Sequence, residues 1–352
     1  MDRTPTNTLT PLAPAGTAKK RRIGPVLTLA FLAPFIAEVL SGATRMSVII
    51  ALVPEMMVWG GGALLARELV RRWGGRWPSL LILGLGLSIA EEFIIQQTSL
   101  APLPFPGALG GYGRMWGVNW IYFLFMLGYE SVWVVLVPVQ VTELLFPERR
   151  NNSWLRKWGI VRACWLFMVG SFMAYFGWVK RARIMILHMA PYQPRWTTLF
   201  AGVWTILLLA ATAYLLRRTG HEAPGRAAPW AWVVGIVVLA MGFPWYWLMK
   251  LQFSPSSASH PPFWIPIAVC VAWAGVAYLL FRRWTSTSAW SDLHGWAAAF
   301  AATMVCMVAG FLGSGSWSRV DLVGKIILNV AAVVGFFLIL KRIRQSRLTI
   351  TY

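Results

Sequence analysis

The chain is poor in charged residues, which make up 12% of its 352 residues, against about 25% in a typical soluble protein. Hydrophobic residues make up 58%, and the mean hydropathy is +0.60. So little charge does not cover the surface of a water-soluble domain of this size. The composition therefore excludes a soluble globular protein and predicts an integral membrane protein.

Cysteine and histidine are also scarce, with three and four residues respectively. The cysteines lie far apart inside apolar stretches, so we interpret them as packing residues rather than as a disulfide framework or a metal site. The chain has no Gly-x-x-x-x-Gly-Lys loop, no His-Glu-x-x-His and no Gly-x-Ser-x-Gly. The sequence therefore contains no motif that supports ATP-driven transport, zinc proteolysis of the site-two type or serine hydrolysis.

Ten apolar stretches of some twenty residues follow one another between residues 23 and 342. A helix of about twenty residues crosses the hydrocarbon core of a bilayer, because each residue adds about 1.5 Å. The sequence therefore predicts an all-α, polytopic transmembrane helix bundle with about ten spans. The predicted spans, with ends placed to within several residues, are about 24–42, 46–70, 78–99, 117–146, 158–179, 196–217, 229–250, 261–282, 294–314 and 321–340.

The basic residues predict how these spans are oriented. With the N-terminus inside, 23 of the 32 Lys and Arg residues fall in inner segments, in agreement with the positive-inside rule. We therefore predict that both termini are cytoplasmic (N-in and C-in) and that the protein is integral to the plasma membrane, the inner membrane of a bacterium. The net charge of +20 is spread over short clusters at span ends, which favours anionic lipid headgroups over nucleic acid as partner.

The loop at residues 180–195 departs from this rule. It is predicted to lie outside, although it carries Lys180, Arg181, Arg183 and Arg195 around a short apolar run. A basic amphipathic segment lying on the membrane surface explains such a pattern.

The acidic residues divide the chain into two unequal halves. Seven of the twelve lie in the first four predicted spans, and none lies in the middle of the other six. This distribution predicts a glutamate-bearing four-helix bundle at residues 23–146 and a six-helix bundle at residues 158–340, joined by a polar cytoplasmic linker at residues 147–157. Residues 1–22 are predicted to be a disordered basic cytoplasmic tail, and residues 341–352 a second basic cytoplasmic tail.

Five glutamates of the first half lie at similar predicted depths. Counting along each span at about 1.5 Å per residue places all five in the middle or outer half of the bilayer. A buried carboxylate is costly unless it is protonated, paired or hydrated, so we expect these side chains to share an interior pocket rather than to face lipid separately. The predicted pocket consists of Glu38, Glu55, Glu91, Glu92, Gln96, Tyr129 and Glu130.

Two further glutamates are excluded from this pocket. Glu68 and Glu143 lie near the inner span ends beside Arg67, Arg71 and Arg149. We expect them to form ordinary ion pairs at that interface.

The third span carries a polar stripe. Ser88, Glu92 and Gln96 recur every four residues and share one face of a helix, whereas Glu91 points about 100° away. The side chains of Glu91 and Glu92 can therefore face two different neighbouring helices.

Glycine and proline residues accompany the glutamates in these spans. Residues 60–62 are all glycine, which predicts close helix approach or a break in the second span. Pro34, Pro54 and Pro138 predict kinks in the first, second and fourth spans.

A segment of the third span resembles a known protease motif. Residues Ala90-Glu91-Glu92-Phe93-Ile94-Ile95-Gln96 resemble the first motif of the CAAX protease and bacteriocin-processing (CPBP) family of intramembrane metal-dependent proteases, a Glu-Glu pair followed by Arg. Gln96 occupies the Arg position. The family's second motif, Phe-x-x-x-His, corresponds to Phe125 and Tyr129, with Tyr in place of His, and the third motif has no counterpart in spans four to six. The resemblance covers roughly residues 78–146 and implies catalytic roles for Glu91 and Glu92.

The missing histidines bear on the cofactor. A zinc site would lack its preferred nitrogen ligands, whereas a pocket of glutamates suits protons or a hard divalent cation such as Mg²⁺, Ca²⁺ or Mn²⁺. The sequence leaves the cofactor unknown, with no cofactor and a hard divalent cation both open.

Three functions remain open from the sequence. The first is a non-enzymatic membrane protein whose glutamate pocket binds or transports a proton, a cation or a small cationic solute. The second is a divergent CPBP-like intramembrane metalloprotease, and the third is a non-catalytic membrane scaffold whose glutamates serve packing. Whether the protein is an enzyme, which substrate it takes and which proteins it contacts are not specified by any motif.

Overall fold

The computed structural model describes residues 23–103, 112–217, 227–253, 261–313 and 317–348, and these residues form ten principal helices. The predicted all-α class is confirmed. Of the ten helices, eight are long and apolar enough to cross a membrane. Helix α1 is a shorter apolar helix, and the apolar part of α7, Ala231–Tyr246, is also shorter. The helices are α1 (Ile23–Val39), α2 (Met46–Arg72), α3 (Trp77–Ile95), α4 (Trp120–Leu145), α5 (Lys157–Ile186), α6 (Trp196–Leu216), α7 (Ala231–Phe253), α8 (Trp264–Thr285), α9 (Asp292–Gly313) and α10 (Arg319–Leu348).

Each helix coincides with one predicted span, but the span number and the orientation in a membrane remain predictions. The predicted tail at residues 1–22 lies outside the described residues. The C-terminal segment after residue 340 continues α10 as far as Leu348, and residues 349–352 are again outside the described part.

Two helix ends on either side of a small hairpin differ by a few residues from the approximate span boundaries that the sequence predicts. Helix α3 ends at Ile95 rather than at residue 99, because Gln97 takes a positive φ of 58°. Helix α4 begins at Trp120 rather than at residue 117, because the antiparallel strands β1 (Arg114–Met115) and β2 (Val118–Asn119) precede it. Glu130 therefore lies about 15 Å from the start of α4, instead of the expected 20 Å.

The prediction of a separate surface segment at residues 180–195 is wrong for the part that precedes residue 187. Helix α5 continues to Ile186, and its last eleven residues, Phe176–Ile186, are π-helical. Within this segment Arg183 is only 3% exposed and donates a hydrogen bond to the carbonyl oxygen of Pro102 at 3.1 Å. The basic residues of this region are therefore not all on the surface.

Four helices of the first half contain a π-helical segment, in which each turn holds an extra residue. Each segment adjoins a proline or a glutamate of the predicted pocket. The segments are Phe35–Val39 in α1, Met56–Gly60 in α2, Ala90–Ile95 in α3 and Glu130–Leu136 in α4.

Helices α1 and α2 approach closely where Gly60 of α2 lies against the backbone of Ala30 in α1. Proline has no N–H and displaces the carbonyl group four residues before it, so Pro34 frees the carbonyl of Ala30. That oxygen lies against Gly60 of α2, where a Cβ atom would clash with it. The close approach predicted from the glycine run is thus confirmed, and only glycine fits at position 60.

One hydrophobic core cluster draws on both halves of the chain, from Leu29 in α1 to Ile343 in α10. Helix α6 packs on α3, α5 packs on the π-helical segment of α2, and α7 and α9 pack on α4. The indole N–H of Trp245 donates to the carbonyl of Phe125 at 3.1 Å, and that of Trp133 donates to the carbonyl of Ala302 at 2.7 Å. These second-half helices therefore hold α4 in place behind the glutamates.

Candidate functional site

Helices α1 to α4 bring five predicted glutamates together. Glu91, Glu92 and Glu130 are each 1% exposed, Glu55 is also buried, and Glu38 is half-buried. All five lie in a π-helical segment or directly before one. Because π-helical turns occur frequently at functional sites, their presence at every glutamate supports a common role.

The five carboxyl groups are close enough to interact electrostatically. Glu38 interacts with Glu55 and Glu91, and Glu130 interacts with Glu38, Glu91 and Glu92. We call these five side chains the glutamate cluster.

Hydroxyl groups hold the two ends of the cluster. Thr98 Oγ1 and Ser99 Oγ each donate to Glu92 Oε2 at 2.6 Å, and Thr44 Oγ1 donates to Glu55 Oε1. The turn at Gln97, with its positive φ, directs Thr98 and Ser99 back toward α3. Sequence reasoning missed Thr44 and Thr98, although a hydroxyl residue just beyond a helix that ends in glutamates is a usable signal.

The interior of the cluster lacks partners. Both carboxyl oxygens of Glu91 and both of Glu130 are buried and have no hydrogen bond of normal geometry to any described residue. Ser88 lies beside Glu130, but its hydroxyl also makes no hydrogen bond. Among the described residues, no Lys, Arg or His nitrogen lies within 4 Å of a carboxylate of the cluster.

The other two residues of the predicted pocket differ in position. Tyr129 is buried, interacts electrostatically with Glu38 and Glu130, and donates its hydroxyl hydrogen to the carbonyl oxygen of Ala37. Gln96 is half-buried at the end of α3, and within the described ranges its side chain makes no hydrogen bond. Tyr122, which the prediction missed, interacts electrostatically with Glu92 and Glu130.

The residues do not fit a metal centre held by three protein ligands. In the part of the chain that the structure describes, no group of three or more His, Cys, Asp or Glu side chains is arranged to hold a metal ion. The hard divalent cation named as a possible cofactor stays a prediction.

Glu68 and Glu143, which were expected to pair with arginines, do so in a buried network rather than at an exposed interface. Arg67 is 1% exposed and lies 3.1 Å from Glu68 and 3.2 Å from Glu143. Arg71 binds both oxygens of Glu143 at 2.7 Å. The backbone N–H groups of Trp154 and Leu155 donate to Glu68 at 2.7 and 3.1 Å.

The linker between the halves completes this network. Arg67 donates to the carbonyl oxygens of Arg149, Arg150 and Asn152 and lies over the indole ring of Trp154, 3.6 Å from its centroid. The predicted polar linker is thus packed against α2 rather than loose. We call Arg67, Arg71, Glu68 and Glu143 the arginine network.

A half-exposed ion pair lies near the arginine network. Arg150 NH1 and NH2 donate to the two oxygens of Asp292 at 2.6 and 2.9 Å. These hydrogen bonds raise the pKa of the Arg150 guanidinium above its ordinary value.

Helix α10 carries a buried polar stripe that sequence reasoning missed. Lys325 is 4% exposed and donates to the carbonyl oxygen of Leu40, at the end of α1, at 2.6 Å. One turn further on, the side-chain amide of Asn329 is buried without a hydrogen bond. The spacing of Asp321, Lys325 and Asn329, at every fourth residue, was the available signal.

No family model, no curated protein and no solved structure matches this chain. The resemblance of Glu91 and Glu92 to the CPBP motif therefore stays a prediction, and the function has to be argued from the geometry of the side chains.

Proposed function

We propose that the glutamate cluster is a cation-binding site within the membrane and that the protein binds or transports a proton, a cation or a small cationic solute. The observation that carries the proposal is the pair Glu91 and Glu130. Their four carboxyl oxygens are buried and interact electrostatically with further carboxyl groups. Among the described residues none donates a hydrogen bond of normal geometry to them, although Ser88 and Glu92 lie beside Glu130.

Such a pair is unstable as two free carboxylates. Burial in a medium of low dielectric disfavours the charged form, and each neighbouring carboxylate disfavours it further. A bound proton or monovalent cation compensates one charge, and a divalent cation compensates two. A cation-binding role therefore accounts for why the oxygens have no partner in the protein itself.

The ends of the cluster favour a fixed site rather than a loose one. Glu92 accepts two hydroxyl hydrogen bonds and Glu55 accepts one, so these carboxylates are oriented by the protein. Glu91 and Glu130 remain available as acceptors for a ligand. An ammonium group, with three N–H donors, matches such a set of free oxygens.

The carboxyl groups also form a connected series. Electrostatic interactions link Glu55 to Glu38, Glu38 to Glu91 and Glu130, and these to Glu92. Chains of intramembrane acids serve as proton relays in pumps and transporters. This connectivity supports movement of a proton along the cluster as well as binding at its centre.

Ligand binding by the full-length protein in lipid nanodiscs tests the proposal. The probes are Na⁺, Mg²⁺, Ca²⁺ and methylammonium, measured by calorimetry and by the shift of the thermal unfolding midpoint. We expect at least one probe to bind to the wild type. The variant Glu91→Gln/Glu130→Gln should bind it at least about tenfold more weakly, because it loses two charge-assisted contacts. Protons compete for the same oxygens, so binding should weaken as the pH falls.

Glu148→Gln is the matched control, because Glu148 is exposed and lies outside the cluster. It removes one acidic charge and should leave binding unchanged. For a proton alone, uptake into proteoliposomes driven by a membrane potential replaces the binding assay. Equal binding and equal uptake by wild type and the double variant would contradict the proposal and favour a scaffold whose glutamates serve packing.

A CPBP-like protease is the second candidate. Tyr129, at the position of the family's second-motif histidine, lies beside Glu38 and Glu130 in the same cluster as Glu91 and Glu92. The described residues do not fit a metal held by three ligands, which is why this candidate ranks second. Metal-dependent cleavage of a membrane peptide that Glu92→Gln abolishes would establish it.

A further inference from the structure

Two arginines meet at the end of α5, beside the hairpin of β1 and β2. Arg183 is 3% exposed and donates through NH1 to the carbonyl oxygen of Pro102 at 3.1 Å. Arg114 in β1 donates to the carbonyl oxygens of Leu100 and Ala101 at 2.7 and 3.4 Å. The two guanidinium groups therefore bind consecutive carbonyl groups of one stretch, and they are close enough to repel each other electrostatically.

No carboxylate compensates the charge of this pair. Within the described ranges no Asp or Glu oxygen lies within 4 Å of Arg183 or Arg114. Residues 93–129 and 149–221 contain no acidic residue at all, so neither the hairpin nor the end of α5 has a counter-ion of its own. The positive charge is thus open to an anion from outside the chain.

The Arg183 side chain also lacks a hydrogen-bond acceptor. Its NH2 group is buried and has no partner among the described residues, although NH1 binds Pro102. A buried donor without an acceptor is costly, and the cost is larger for a charged group. An oxyanion beside NH2 would accept this hydrogen bond and neutralise the charge in one contact.

The pair lies at the border between the protein and its surroundings. Arg114 and Tyr192 are half-buried, and Tyr192 interacts electrostatically with Arg183, so a ligand can approach from their side. The stretch with the three carbonyl groups is fixed at its other end, because the hydroxyl groups of Thr98 and Ser99 bind a carboxylate of the glutamate cluster. The arginines are therefore held in place before a ligand binds.

The surroundings of the pair are those of a membrane surface. Arg183 lies more than about 30 Å along α5 from Lys157, which exceeds the hydrocarbon thickness of a bilayer and corresponds to headgroup depth. Next to it, Met185 and Ile186 are 68% and 65% exposed, and Arg181 is exposed as well. Basic and apolar side chains together favour an amphipathic anion such as a phospholipid.

We propose that Arg183 and Arg114 bind a phosphate oxyanion at the end of α5 that is predicted to lie outside. The planar guanidinium fork matches the geometry of phosphate oxygens. Two sources supply this chemistry, the headgroup of an anionic phospholipid and free inorganic phosphate, and the apolar surface beside the site favours the phospholipid. Such a site also gives a role to basic residues that the positive-inside rule disfavours in this loop.

Native mass spectrometry of the full-length protein in detergent tests the site. The probes are phosphatidylglycerol, inorganic phosphate and diacylglycerol, each added separately, and diacylglycerol has the apolar chains without the phosphate. We expect phosphatidylglycerol to bind at saturable stoichiometry and diacylglycerol to bind more weakly. Arg183→Gln should weaken phosphatidylglycerol binding about tenfold, because a charge-assisted contact is lost.

Two further variants make the result interpretable. Arg181→Gln is the matched control, because it removes the same charge from an exposed position on the same helix, and it should leave binding nearly unchanged. Arg183→Lys keeps the charge but lacks the planar fork, so it should bind phosphatidylglycerol more weakly than the wild type. It takes the place of Arg183→Gln if that variant does not fold, and the thermal unfolding midpoint of each variant without ligand shows whether it is folded.

The outcomes separate the two sources. Phosphatidylglycerol binding that depends on Arg183 supports a lipid site, and inorganic phosphate binding with the same dependence supports a site for the free ion. Both results support the proposed chemistry. Absence of saturable binding by either phosphate probe, equal binding by the wild type and the folded Arg183 variants, or an equal loss in Arg181→Gln would overturn it.

Discussion

The glutamate cluster and the arginine network both place buried glutamates in the first half of the chain, but they compensate the charge in opposite ways. Glu68 accepts hydrogen bonds from Arg67 and from two backbone N–H groups, whereas Glu91 accepts none from the described part of the chain. Both side chains are 1% exposed. Burial alone therefore does not distinguish these two glutamates, whereas their hydrogen-bond partners do.

The position along the helices explains this difference. Glu68 lies near the end of α2, where the linker after α4 supplies free backbone donors and arginines supply charge. Glu91 lies where the backbone groups of α1 to α4 are already used within the helices. In the middle of a membrane bundle a carboxylate depends on other side chains or on a ligand.

The largest expected effect is that of Arg67→Ala, which removes the central cation of the arginine network. It leaves Glu68 without its nearest cation and three linker carbonyl groups without their donor. Removing one partner of a buried ion pair costs about 3–5 kcal/mol. We expect a loss of that size in the free energy of unfolding, measured by titration with sodium dodecyl sulfate in mixed micelles.

Arg72→Ala is the control for this change. Arg72 lies on the same helix, but its side chain is 35% exposed. Its Nε lies 4.0 Å from Glu68 Oε2, which is longer than the 3.1 Å between Arg67 and Glu68. An exposed pair of this kind contributes roughly 0–1 kcal/mol. If both alanine variants lost the same stability, the central role of Arg67 would be wrong.

Glu68→Met should also destabilise the protein. Methionine keeps much of the volume of glutamate but leaves the N–H groups of Trp154 and Leu155 without an acceptor. Arg67 keeps Glu143 as a counter-ion at 3.2 Å, so this change leaves no unpaired buried charge. Hydrogen bonds to a charged group contribute about 1.5–3 kcal/mol, so we expect a loss of about 2–3 kcal/mol. The same detergent titration measures it.

Glu91→Met should have the opposite sign. It removes two buried oxygens that have no partner, and an unsatisfied buried group costs about 1–3 kcal/mol. We expect the free energy of unfolding to rise by a similar amount, while ligand binding by the glutamate cluster becomes weaker. A loss of stability comparable to that of Glu68→Met would mean that Glu91 has a structural partner. It would contradict the difference in charge compensation between the glutamate cluster and the arginine network.

The sequence predicts the helices well because their signal is strong. Runs of some twenty apolar residues read as helices whatever surrounds them, and the ten described helices follow those runs. The boundaries at Ile95 and Trp120 could not be predicted, since they depend on the positive φ of Gln97 and on a two-residue hairpin. The full length of α5 was also not predicted. Its last residues include Arg183, which is buried against the carbonyl group of Pro102, a residue distant in the sequence.

The candidate site is predictable in its members but not in its chemistry. Depth counting brings Glu38, Glu55, Glu91 and Glu130 together, because helix rise is regular. It does not reveal the π-helical segments, which change the direction in which each side chain points. It also cannot show that Glu92 accepts a hydrogen bond from Thr98 while Glu91 accepts none from the described residues. That difference depends on how the chain turns after α3.

The smallest expected effect is that of Asp292→Asn, which breaks the pair with Arg150. This pair has nearly the geometry of the buried ones, with distances of 2.6 and 2.9 Å, but its side chains are 34% and 39% exposed. Water and salt screen it, so the expected loss is roughly 0–1 kcal/mol and should shrink further at high ionic strength. Repeating the detergent titration at low and high salt measures both quantities. A loss as large as that of Arg67→Ala, independent of salt, would show that bidentate geometry rather than burial decides the energy of an arginine pair in this protein.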